Sequence, residues 1–93
     1  MIRKLAENDE SPAPKDWSVY IVRCRDRTYY TGIAKNVAAR ISRHNAGKGA
    51  AYTRARRPVR LLYTQNGLNR SQALVREAQI KSLPRASKER LLS

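Results

Sequence analysis

Ninety-three residues suffice for one small domain with one hydrophobic core. Twenty Lys and Arg against seven Asp and Glu leave a formal charge of +13, a surplus that points to an anionic partner, nucleic acid ahead of an anionic membrane surface. The single cysteine, Cys24, excludes a disulfide framework and a zinc site built from cysteine pairs and suits a reducing, cytoplasmic setting. No apolar run approaches the roughly 18 residues of a spanning helix, and no signal peptide or membrane anchor is visible.

Residues 1–16, MIRKLAENDESPAPKD, combine two prolines with four of the seven acids and show no apolar periodicity, which predicts a loose tail ahead of a domain over 17–93. The domain keeps 17 of the 20 bases and only three acids: Asp26, Glu77 and Glu89. From Trp17, WSVYIVRCR alternates and is rich in β-branched and aromatic residues, and TYYTGIA resumes that character after Asp26-Arg27. Together they predict a β-hairpin. Asn36 is placed to cap a helix over 37–45, with Gly47 beyond its end. GKGAAYTRARRP reads as an exposed basic connection, and Pro58 opens a third strand, VRLLYT. Gln65-Asn66-Gly67 then signals a turn. RSQALVREAQIKSL has helical composition, and Pro84 breaks it before a short terminal helix around SKERLL. The predicted fold is α+β: a small antiparallel or mixed three-stranded sheet flanked by helices in the order ββαβαα.

Register decides which hairpin side chains share a face. Asp-Arg lacks the Gly or Asn that two-residue loops want at positive φ. A three-residue loop, Arg25 to Arg27, is therefore preferred. It pairs Val22 with Tyr30 and Tyr20 with Gly32, so both tyrosines project from one face. Gly32 would leave space opposite Tyr20, through which a ligand could approach the backbone. The plainer reading is that both tyrosines are ordinary sheet residues.

Arg40 and His44, at i and i+4, leave one side of the first helix and could act on the same phosphate or water. A lone histidine on a basic helix is otherwise simply solvated. Arg43 suits backbone phosphates. In the second long helix Glu77 falls within a partly apolar arc. It serves either as an i, i+4 partner of Lys81 or as a ligand for a hard cation, since Mg²⁺ accepts one carboxylate when water and phosphate complete its shell. Asp26 and Glu89 look structural. The segment 54–60 (Arg54, Arg56, Arg57, Arg60), with Lys35 and Lys48, supplies candidate phosphate contacts. Tyr52 and Tyr29, if exposed, could stack on unpaired bases.

Ser18-Val19-Tyr20, followed by Tyr30-Thr31-Gly32, Arg40, His44-Asn45-x-Gly47 and Glu77, resembles the motif set of the GIY-YIG nuclease superfamily. Over about residues 17–92 it is similar to the small bacterial single-domain branch and to the catalytic subunit of a eukaryotic structure-specific endonuclease. Ser18-Val19 stands in place of Gly-Ile, and Thr31 in place of Ile. The resemblance implies phosphodiester hydrolysis by an activated water with one divalent metal, Mg²⁺ or Mn²⁺, held by Glu77. By the same resemblance Arg40 neutralises charge on the phosphate, Tyr20 is the leading general base, Tyr30 orients water or phosphate, and His44 assists or replaces Tyr20. A free phenol titrates near ~10, so Tyr20 needs a nearby cation, Arg40 or the metal, to ionise usefully at neutrality; His44 needs no such help. The expected substrate is DNA, single-stranded or structured, with little sequence specificity and RNA left open. A non-catalytic nucleic-acid-binding module is the alternative. Membrane association ranks last, since the first helix offers mainly Val37 and Ile41 as apolar residues. Oligomeric state is left open.

Overall fold

The computed structural model of the protein describes residues 14–93, so the expected tail lies outside the described residues except for Pro14, Lys15 and Asp16, which are exposed and irregular. The elements are β1 (Trp17–Arg23), β2 (Tyr29–Ala34), α1 (Val37–Asn45), α2 (Ala51–Arg54), β3 (Arg60–Leu68), α3 (Arg70–Lys81) and α4 (Arg85–Leu92). The sheet order is β2-β1-β3 and both pairings are antiparallel. The α+β expectation holds, with one helix more than the sequence reading contained.

Because β1 is central and covered on both sides, Ser18 through Val22 are all buried and its burial does not alternate. Its side chains still do. Tyr20, Val22 and Cys24 pack with Ala34 and Val59 on one face, flanked by Tyr30, Val37 and Ile41. Val19 and Ile21 pack with Ala73 and Ile80 on the other, flanked by Trp17, Tyr29, Ile33, Leu91 and Leu92. The first face belongs to α1 and the second to α3 and α4.

The hairpin takes the three-residue loop. Val22 pairs with Tyr30 and Tyr20 with Gly32, the Cys24 N–H donates to the Thr28 carbonyl at 2.8 Å, and Arg27 absorbs the reversal at φ 71°. Asp26 Oδ1 accepts from the Thr28 N–H and hydroxyl at 3.2 and 2.6 Å, the local bonding for which Asp suits a turn.

Two expectations need correction. Gln65-Asn66-Gly67 does not end β3: pairing continues to Leu68, with the three-residue step Gln65 to Leu68 on β3 opposite the two-residue step Val19 to Trp17 on β1. Gly67, at φ 77°, serves a β-bulge, and Ser18 Oγ braces the bulge by donating to Asn66 Oδ1 at 2.6 Å. The local turn chemistry is real, but sheet pairing on β1 continues through it. Second, the segment after Gly47 is not merely an exposed connection, because it folds into α2 and buries Thr53 completely.

Helix ends follow from local chemistry. Asn36 Oδ1 accepts from the Ala39 N–H at 3.0 Å. At the other end of α1 the Gly47 N–H reaches the His44 carbonyl and the Lys48 N–H the Arg43 carbonyl. This is a Schellman motif with Gly47 at φ 81°, and it turns the chain back over the helix. Asn69 and Gln72 form a capping box at the start of α3.

Candidate active site

On the α1 face the central strand and the helix meet through a hydrogen bond. The Tyr20 hydroxyl lies 2.8 Å from His44 Nε2, and Tyr20 and His44 are 0% and 1% exposed. His44 is therefore not a solvated surface histidine. Its ring stands edge-on to both tyrosines, with centroids 6.0 Å from Tyr20 and 5.3 Å from Tyr30. The hairpin register brings these rings together, since it sets Tyr20 and Tyr30 on one face and Gly32 beside Tyr20. A Cβ on Gly32 would lie 2.6 Å from the Tyr20 oxygen. The space expected there for a ligand is thus filled by the Tyr20 phenol itself.

His44 is held from its other side. Its Nδ1 is 2.8 Å from Thr53 Oγ1, and the Thr53 hydroxyl donates to the Ala50 carbonyl at 3.0 Å. Gly49 packs directly against the imidazole, and any Cβ there would overlap His44 Nδ1. The side chain of Asn45 fastens α1 to the start of β3, accepting from the Val59 N–H at 2.7 Å and donating to its carbonyl at 3.1 Å.

Above this pair a cavity of about 270 Å³ is lined by Tyr30, Arg40, Arg43, His44, Lys48, Gly49 and Ala50. Arg40 and Arg43 also line a neighbouring depression with Trp17 and Lys35. The cationic surface therefore continues from Lys48 across α1 to the start of β1. Arg40 and His44 do share a side of α1, as their spacing requires.

Charge and burial oppose each other at the pair. Burial pushes the Tyr20 phenol up, the Tyr30 phenol and the Glu77 carboxylate add to this, and the Arg40 guanidinium pulls it down; the result is about 12. Arg40 alone therefore does not bring Tyr20 into an ionising range at neutrality. Burial, and secondarily the charge of Arg40, push His44 below its ordinary value. The shift favours the neutral imidazole, the form that can accept a proton.

Glu77 stands apart. It lies on α3 beside the buried Ala73 and Ile80, and no hydrogen bond joins it to Tyr20, Tyr30, Arg40 or His44, although its charge is felt by Tyr20. Its side chain is 19% exposed and Oε2 lies 3.3 Å from Lys81 Nζ, so the plainer i, i+4 reading is realised. Among the described residues no three His, Cys, Asp or Glu side chains cluster. A cation at Glu77 would hold one protein carboxylate and complete its shell with water and phosphate oxygens, a donor set that fits Mg²⁺ or Mn²⁺ and not zinc.

The remaining candidates divide. Tyr52 stacks on Tyr30 at 6.0 Å and carries the Arg56 guanidinium 3.9 Å from its centroid, and the residue remains 38% exposed. Arg56 also bonds Asp26 Oδ2 at 2.9 Å and the Tyr52 carbonyl at 2.8 Å. Arg57 bonds the Arg54 and Asn45 carbonyls, and Arg54 the Gly49 carbonyl at 3.4 Å. Lys35 lies 3.8 Å from Asp16. Tyr29 faces the other side of the sheet, under Arg85 at 4.6 Å.

Residues 16–90 match the family model of the GIY-YIG catalytic domain. The chain belongs to the GIY-YIG nuclease family. A UPF0213 protein of Natronomonas pharaonis is 50% identical over 78 residues, covering 84% of this chain and 92% of that protein. One of Staphylococcus haemolyticus is 50% identical over 74 residues, covering 80% and 90%. The solution NMR structure of a UPF0213 protein from Bacillus halodurans shares 43% identity over 81% of this chain and 80% of that one, with a TM-score of 0.52. The two half-motifs for which GIY-YIG proteins are named occupy adjacent strands here, and Tyr20 of the first sits directly opposite Gly32 of the second. GIY-YIG nucleases act on nucleic acid and generally use a divalent metal.

Sequence reasoning missed Thr53, Gly49, Trp17 and the strut made by Asn45. A lone threonine amid alanines and arginines carries no periodic signal. Only the glycines at 47 and 49 hinted that backbone must come close to something.

Proposed function

We propose that the protein is a metal-dependent DNA endonuclease that hydrolyses phosphodiester bonds in single-stranded or structured DNA with little sequence preference. The hydrogen-bonded Tyr20–His44 pair, set beneath a cavity lined by Arg40, Arg43 and Lys48, carries this reading. Burying a base against a phenol below a cluster of cations costs desolvation, and a site that receives an anionic substrate accounts for that arrangement.

In this reading Arg40, Arg43 and Lys48 seat the scissile phosphate, and Arg40 offsets charge that builds on it during attack. Lys35, Arg54, Arg56 and Arg57 contact flanking phosphates. Tyr30, half-buried and lining the cavity, orients phosphate or water. The attacking water gives its proton to the Tyr20 oxygen as the Tyr20 proton passes to His44 Nε2. The new P–O bond forms as the bond to the 3′ oxygen breaks. The relay avoids a free phenolate, which a phenol at about 12 disfavours at neutrality, and ends on an imidazole whose neutral, proton-accepting form burial favours. Because Tyr20 has no exposed surface, water reaches its oxygen only after the side chains above it rearrange around bound substrate. A divalent ion at Glu77 would polarise the phosphate and stabilise the leaving 3′ oxygen.

The test is incubation of the purified protein with labelled single-stranded, branched and duplex DNA, with Mn²⁺ or with EDTA, and RNA as competitor. Metal-dependent cuts that disappear in Glu77→Ala are expected. Salt-sensitive binding without cuts would identify a binding module on the same fold, and equal cleavage of plain duplex would remove the structural preference.

A further inference from the structure

Thr53 has a hydroxyl with one proton, and its surroundings determine where that proton goes. It is directed to the Ala50 carbonyl at 3.0 Å, which leaves the oxygen to accept from His44 Nδ1 at 2.8 Å. A neutral imidazole carries one N–H. If Nδ1 donates to Thr53, Nε2 is bare and accepts the Tyr20 hydroxyl across 2.8 Å. The opposite tautomer would have Thr53 donate to Nδ1 and Nε2–H donate to Tyr20. The Tyr20 hydroxyl proton would then have no acceptor among the described hydrogen bonds, on a side chain that is 0% exposed. Stranding a buried donor costs on the order of 1–3 kcal/mol, so the first arrangement wins.

We infer that Thr53 is a positioning residue that fixes His44 as the Nδ1–H tautomer and so keeps Nε2 open to the Tyr20 proton. The inference rests on the relay proposed above for its functional meaning. The Schellman turn at Gly47 and the absent side chain at Gly49 let the α2 segment fold back far enough for Thr53 to reach the ring. Without the Thr53 oxygen, the Nδ1–H tautomer strands its own ring donor while the opposite tautomer strands the Tyr20 hydroxyl, so the two come close in energy and the imidazole spends part of its time with Nε2 protonated and unable to accept. A ligand of the imidazole that sets tautomer from behind has the role that outer partners hold in other histidine sites.

His44 is the only histidine in the chain, so a two-bond ¹H–¹⁵N correlation spectrum of the full untagged protein at pH 8 reads its tautomer without assignment ambiguity. The wild type is expected to show a protonated Nδ1 and a bare Nε2. Thr53→Ser is expected to keep this pattern, with cleavage within about threefold of wild type. Thr53→Val, close in shape but without the hydroxyl, is expected to show mixed tautomers and a ~10–100-fold fall in kcat with KM held. A wild-type spectrum with protonated Nε2, or a Thr53→Val spectrum unchanged from wild type, overturns the inference even if the enzyme cleaves normally. A protein that cuts no DNA yet shows the Nδ1–H pattern, lost in Thr53→Val, upholds the positioning role and sinks the nuclease reading instead. If Thr53→Val fails to fold, Thr53→Ala, which also lacks the hydroxyl, supplies the comparison with wild type.

Discussion

On the α3 and α4 side of the sheet, the fully buried side chains Val19, Ile21, Ala73 and Ile80 are all aliphatic. On the α1 side the same strand contributes Tyr20, which meets His44 and, through it, Thr53. Adjacent residues of β1 thus supply two layers of different chemistry. An aliphatic layer stabilises through area removed from water and tolerates small shifts. A buried chain of hydroxyl, imidazole and hydroxyl stabilises little beyond its own desolvation, and its geometry has to be held by every neighbour. The first layer is the platform, and the second is the part that would do chemistry.

Mutating one residue from each layer should separate them most sharply. Tyr20→Phe removes the proton-transfer group while keeping the ring, so a loss of about 10²–10⁴-fold in cleavage is expected, against only about 1–3 kcal/mol of stability from the His44 Nε2 left without a partner. Ile80→Ala should do the reverse, costing about 2–5 kcal/mol in urea unfolding while the rate per folded molecule stays the same. Equal effects of the two on both readouts would erase the distinction between the faces.

Gly32→Ala probes how closely the site is held. Its Cβ would stand 2.6 Å from the Tyr20 oxygen, so the phenol must shift, and cleavage should fall at least ~10-fold, since small misplacements near reacting groups are costly. Gly67→Ala, with nothing within 4 Å but φ at 77°, should cost roughly 1–2 kcal/mol of stability through backbone strain and leave the rate alone.

The pH dependence of unfolding should carry the signature of the polar face. His44 is depressed by burial, so the unfolded chain binds its proton more readily, and stability is expected to fall as pH drops from ~6.5 toward the lower folded value. Tyr20 is raised to about 12, so its contribution holds below ~10 and is lost as pH rises from there through the folded value. His44→Gln should flatten the acid limb and Tyr20→Phe the alkaline one, whereas Ile80→Ala should lower the whole curve. Limbs that persist in the matching variants would assign them to other groups.

The smallest effect concerns the cavity rim. Lys48→Ala should weaken DNA binding similarly across sequences and reduce the slope of log affinity against log salt by about 1, measured by fluorescence anisotropy. An unchanged slope would move the phosphate path away from Lys48.

Much of the fold was legible because its signals are local. Alternation marked β1 and β2, Asn36 and Gly47 bounded α1, Pro84 separated α3 from α4, and the unsuitability of Asp-Arg for a tight loop led to the correct hairpin register. That register alone put Tyr20, Tyr30 and Gly32 together, and i, i+4 spacing put Arg40 with His44. The failures share one cause. Asn66-Gly67 is a good turn dipeptide until β1 offers it pairing partners, and Ala51–Arg54 is a weak helix until Thr53 has an imidazole to meet.

The order of the strands and the longer helices, the charge of the domain and the two tyrosines on one face were written in the chain, because backbone propensity and side-chain alternation act over a few neighbouring residues. Tertiary structure decided that His44 is buried with its neutral form favoured, that burial raises the Tyr20 phenol, and that Thr53 hydrogen-bonds the imidazole. Those properties depend on desolvation and on hydrogen bonds between residues up to 24 positions apart, and only packing of α1 and α2 onto the sheet creates them.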